Sequence, residues 1–231
     1  MAAIGLLWRG LLVYAMPPYG YDALNYHLPT VVTWIQGQRI VATPLNECCA
    51  HYPAGGELLF AWSVIFLQDV AWADSVQIGF AVAGAVAVGG IARTAGFTPA
   101  GGLAASSLFL LTPVVLAQAN TAYVDVIFAS AFLIAVHFVH RCMSGAPTAS
   151  LLFPAGLATA ICLGSKPNGV LATVILILSV CLLLLAQRRK GAYLASIIEF
   201  SPSSISRTCG FSWWLVVSPK LDSAWQPVLP R

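Results

Sequence analysis

An aspartate, a histidine and two tyrosines stand together in Tyr21-Asp22-Ala23-Leu24-Asn25-Tyr26-His27-Leu28-Pro29. A second polar group follows at His51-Tyr52, with Glu47 before it and Glu57 after it. Asp125 and Lys166 come later, each beside a long apolar stretch. A carboxylate so placed can take the proton of an attacking hydroxyl. A lysine can balance charge that builds on a departing anion. His27 and His51, with Glu47 and Glu57, can form a polar pocket or hold a metal ion. Each residue also has a plainer explanation. Asp22 and Asp125 can cap helices, Lys166 can reach lipid head groups or pair with Asp125, and the histidines can be packed, hydrogen-bonded side chains. Tyr26 and Tyr52 can anchor at a membrane interface. His137 and His140 stand near a helix end, where the helix dipole is reason enough for them.

The surroundings of these groups set the class of protein. Hydrophobic residues make up 59% of the chain and charged residues 8%, against about 25% charged in soluble domains. Mean hydropathy is +0.84. Lipid is therefore the expected solvent. A net charge of +3, with Arg188-Arg189-Lys190 as an isolated basic cluster, does not suggest a nucleic-acid partner. The cysteines form no zinc pattern. Cys142, Cys162 and Cys181 lie in or beside apolar segments and read as small buried side chains, while Cys48 and Cys49 are adjacent in a loop and leave a disulfide open.

Residues 168–186 form the clearest predicted span, uncharged and holding twelve Val, Ile and Leu. Insertion of these is favoured by roughly 4–7 kcal/mol, an upper bound that treats each as central. Residues 75–92, 100–118, 123–140 and 149–165 are further spans of crossing length. Residues 4–16 read as a clipped first span carrying Arg9. Residues 57–68 are apolar but short, which suits an interfacial or re-entrant helix. If they do not cross, Arg93, Arg141 and Arg188-Arg189-Lys190 share one side, and Asp22, Glu47, Asp69, Asp74 and Asp125 share the other, as the positive-inside rule asks. The expected fold is thus all-α, a polytopic transmembrane helix bundle of six crossings with a cytoplasmic N-terminus. Residues 17–73 form its long extracytoplasmic first loop, which carries juxtamembrane helices. Small residues in 79–90 and 101–107 allow close helix packing. Residues 1–190 are expected to form the transmembrane domain; residues 191–231 change character and read as a tail, one further span or a truncated end.

Four motifs in order suggest a family. The Asp22 stretch followed by Trp34-Ile35-Gln36-Gly37, then His51-Tyr52-Pro53-Ala54-Gly55-Gly56-Glu57-Leu58, Tyr123-Val124-Asp125 and Gly164-Ser165-Lys166-Pro167, resembles bacterial C-type (GT-C) membrane glycosyltransferases, the relatives of protein O-mannosyltransferases and aminoarabinose transferases. The resemblance covers about residues 10–190. Family members usually carry more spans and often a soluble C-terminal domain, so the chain is expected to be an incomplete member.

The resemblance implies a multi-pass protein of the bacterial inner membrane. Its donor would be a polyprenyl-phosphate or diphosphate sugar, and its acceptor a lipid, a glycan or a protein. Asp22 would then be the catalytic base. Asp125 would orient the acceptor or share a divalent cation with Asp22, although no ligand set names a metal. Lys166 would face the donor phosphate, and Tyr26, His27, His51, Tyr52 and Glu57 would contact substrate. Two alternatives stand beside this one: a catalytically silent membrane subunit of the same fold, and a transporter, which the clustering of polar groups at one face and the absence of an internal repeat disfavour.

Overall fold

Long apolar runs punctuated by Pro, Gly and isolated polar residues fold here entirely as helices. The computed structural model describes residues 1–43, 49, 51–145 and 148–189, and no strand occurs among them. Glu47, Cys48 and the tail from 190 onward lie outside the described residues. The chain divides into two units, Met1–Val180 and Cys181–Arg231. The first is described below; of the second, residues 181–189 are described, as the last turns of a helix.

Helix α1 spans Ala2–Ala15. A π-helical turn, Ala23–His27, runs directly into α2, Leu28–Gly37. Helix α3 spans Gly55–Leu67, close to the expected short segment. A 3-10 turn, Val70–Asp74, leads into α4, Ser75–Thr94. Helices α5 (Pro99–Leu110) and α6 (Pro113–Gln118) follow, then α7 (Asp125–Ser144), α8 (Ala149–Ser165) and α9 (Gly169–Arg189).

The expected continuous span 100–118 is therefore two helices. Pro113 has no N–H to continue the ladder, and its ring crowds the preceding turn. The chain leaves the helix at Leu111 and restarts with Pro113 in the first turn of α6. Among the described residues, Val70–Thr94 and Asp125–Ser144 are the two helices long and apolar enough to cross a membrane. Helices α1, α3, α5 and α8 are apolar but shorter, and so is Gly169–Leu182 of α9, within the expected span 168–186. At 1.5 Å per residue, the 17 residues of α8 reach about 26 Å, short of a hydrocarbon core of roughly 30 Å.

Small residues decide the packing of the longer helices. A Cβ on Gly84 would lie 2.4 Å from Ser130 Oγ, and one on Gly90 would lie 2.4 Å from the His137 ring. Helices α4 and α7 thus run parallel and close, their contacts advancing together along the two chains. A Cβ on Gly89 would meet Ser106 Oγ at 2.4 Å, which sets α5 against the other side of α4. Helix α8 packs on α7, and Ala135, Ala158 and Leu176 join α7, α8 and α9 in one apolar cluster. The row α5, α4, α7, α8 segregates charge. Asp74 and Asp125 stand at the starts of α4 and α7, Arg93 and Arg141 in their last turns, each placed to complement the helix dipole.

The core nearest the polar cluster lies where α2, α3 and α7 meet. Val31, Phe60 and Ile127 are fully buried there, with Ala23, Ala73 and Ala122 around them.

Candidate functional site

The site is built by glycines before it is built by polar groups. Gly55 and Gly56 open α3. A Cβ on Gly55 would lie 2.6 Å from the Gly164 carbonyl oxygen, and one on Gly56 would lie 2.3 Å from Val124 Cγ1. The start of α3 is thereby pressed between the end of α8 and the residue that precedes α7. Three segments distant in sequence meet at one point, and each brings a polar side chain.

They enclose a cavity of about 280 Å³. Tyr26 and His27 line it from the π-helical turn, Tyr52 from the segment before α3, Glu57 from the first turn of α3, and Lys166 and Asn168 from the turn between α8 and α9. His27 Nδ1 donates to Glu57 Oε1 at 2.6 Å, with the two side chains only 4% and 8% exposed. Glu57 Oε2 is buried and accepts no hydrogen bond. An orphaned buried acceptor costs about 1–3 kcal/mol, more when charged, so this oxygen is kept at a cost to stability. The His27 ring lies against Tyr26, centroids 4.1 Å apart, and faces Phe60 edge-on at 6.2 Å.

Lys166 Nζ donates to Asp125 Oδ1, the two side chains being 29% and 41% exposed. A pair this open to solvent is worth about 0–1 kcal/mol, so an arriving anion can draw Lys166 away at small cost. Of the readings open for Lys166, pairing with Asp125 is the one observed.

Tyr26 is the third chemical group. Burial pushes its phenol well above the usual range, and the charge of Asp22 pushes the same way, followed by Cys49, Glu57 and Asp125. Tyr26 therefore keeps its proton and can donate a hydrogen bond.

The sequence-predicted residues separate clearly here. Tyr26, His27, Tyr52, Glu57 and Lys166 share the cavity, and Asp125 joins through its ion pair. Asp22 is half-buried one turn before Tyr26; it is not among the residues lining the cavity, and acts on the site through its charge on Tyr26. The capping role weighed for it is not found: Asp22 precedes the π-helical turn, yet its side chain makes no cap hydrogen bond. The same holds for Asp125, which is the first helical residue of α7 rather than its cap. His51 is exposed and outside the cavity. Among the described residues, no three His, Cys, Asp or Glu side chains come together as metal ligands.

Two functional supports escaped the sequence reading. Gln77, fully buried near the start of α4, donates from Nε2 to the carbonyls of Gln118 (3.0 Å) and Thr121 (3.3 Å). Its Oε1 accepts from the amides of Val126 (3.0 Å) and Ile127 (3.2 Å). It therefore does for α7 what a cap would do, and it fixes the loop that presents Asp125. Asn120 accepts from Arg9 Nη1 and donates to Tyr19 Oη, both at 3.0 Å. That contact explains an arginine inside an apolar first helix. The signal for both was the same: a polar side chain too isolated to be left without a partner.

No protein-family model, curated protein or solved structure matches this chain.

Proposed function

We propose that this chain is a multi-pass membrane glycosyltransferase that moves a sugar from a polyprenyl-phosphate donor to a lipid, glycan or protein acceptor on the extracytoplasmic side of a bacterial plasma membrane. The observation that carries the reading is the cavity that Lys166, ion-paired to Asp125, lines together with His27, Glu57 and Tyr26. It offers what transfer from a phosphate carrier needs: a cation for the leaving oxygen, a carboxylate for the acceptor's proton and a neutral phenol to orient a hydroxyl. Glu57 is the carboxylate in the cavity for that proton, and Asp22, the base that the resemblance implies, stands one turn before Tyr26 outside its lining. Tyr52, half exposed at the cavity, offers a face for a sugar ring.

The membrane part of the proposal rests on what the helices expose. Leu152, Phe153 and Leu157 of α8 and Val170, Leu171, Val174, Ile177 and Leu178 of α9 are all exposed. Contiguous apolar surface of this kind is what lipid covers and water does not. The crossings shorter than the bilayer core fit by local thinning or by flanking residues reaching the interface.

The test uses the full chain in vesicles with radiolabelled polyprenyl-phosphate mannose and polyprenyl-phosphate aminoarabinose. Label moving from the carrier to a lipid, glycan or protein fraction is the expected result. Label that stays on both carriers, in the presence of membrane extract as acceptor source, overturns the proposal.

A further inference from the structure

Among the carboxylates near the cavity, Glu57 alone is both buried and half-used. Asp22 is half-buried and reaches water. Asp125 is held by Lys166. Glu57 has one oxygen on His27 Nδ1 at 2.6 Å, and Oε2 accepts nothing while its side chain borders the cavity. A carboxylate oriented by one donor, with its other oxygen buried and without a hydrogen bond at the cavity's edge, can receive a proton from a ligand that reaches it.

We propose that Glu57 Oε2 is the atom that takes the acceptor's proton, with His27 as its positioning residue; this rests on the sugar-transfer reading above. In that step the acceptor oxygen forms a bond to the anomeric carbon and its proton passes to Glu57 Oε2. The bond from the anomeric carbon to the carrier phosphate breaks, and its electron pair stays on the phosphate oxygen, where Lys166 balances the charge. His27 keeps its Nδ1 proton, donates it in a hydrogen bond to Oε1 throughout, and so fixes the carboxylate at the cavity's edge. The proposal moves the base from Asp22, which shapes the site through Tyr26, to Glu57 in the first turn of α3.

The experiment compares wild type, E57Q, E57A, D22N, H27A and H27N, as full chains in vesicles with the same two labelled donors. E57Q is expected to lower kcat by about 100-fold or more, the scale of a lost general base. Its donor KM and melting temperature should stay near wild type, because the amide oxygen still accepts from His27. Formate should restore part of the rate to E57A, and D22N should lose less than about tenfold. H27A should lower kcat more than it changes KM, and H27N, which restores a donor near the Nδ1 position, should recover part of the loss. E57Q with wild-type kcat, or E57A indifferent to formate, overturns the assignment while leaving sugar transfer standing. A wild type that moves no label removes the transfer reading, and the assignment with it.

Discussion

Gly55 and Gly164 meet backbone to backbone, so close that a Cβ on Gly55 would lie 2.6 Å from the Gly164 carbonyl oxygen. Since Gly55 is two residues from Glu57 and Gly164 two from Lys166, this contact sets the distance between the cavity's acid and base partners. Gly55→Ala should force the two helix ends apart and cost about 1–3 kcal/mol, as overpacking does, with a matching loss of transfer. Gly79→Ala is the control: nothing lies within 4 Å of a Cβ there, so it should be neutral or stabilise by up to about 1 kcal/mol. Thermal unfolding in detergent measures both.

Gln77 should be the most sensitive buried polar residue. Gln77→Leu removes the side-chain partner of two α7 amides and of the Thr121 carbonyl, while the Gln118 carbonyl keeps the Thr121 amide and hydroxyl. The expected loss is about 2–4 kcal/mol. Hydrogen exchange should locate it: the amides of Val126 and Ile127 should lose protection in the variant while the middle of α7 keeps its own.

Lys166→Met should separate function from stability. Its ion pair is too exposed to contribute more than about 1 kcal/mol, so the melting temperature should hardly move. Transfer should fall by about 100-fold or more if the ammonium balances the leaving phosphate. Unaltered transfer in this variant would take Lys166 out of the chemistry.

Orientation can be read by cysteine labelling in a background free of native cysteines. Ser165 is 3% exposed and a poor position for a probe, but the neighbouring Asn168 and, at the far end of α7, Ser144 are exposed. Asn168→Cys should react with an impermeant reagent added outside, and Ser144→Cys only after permeabilisation. The reverse pattern would turn the topology over.

Composition and spacing already determined that this chain is helical and suited to lipid. They also picked out Asp22, Tyr26, His27, His51, Tyr52, Glu57, Asp125 and Lys166, because polar groups are so scarce here that each needed a reason; Asp22 and His51 lie outside the cavity lining. The break at Pro113 was legible in principle, since proline's lost N–H is a local property. What the tertiary structure decided was pairing. His27 and Glu57 are thirty residues apart and Lys166 and Asp125 forty-one, and no periodicity carries information over such distances. Equally hidden were the π-helical turn and the four-fold grip of Gln77, since hydrogen-bond partners are chosen by which backbone groups packing leaves orphaned. The split between Asp22 and Glu57 has the same origin: the two carboxylates are alike as sequence, and only burial leaves one of them with an oxygen that no protein donor satisfies.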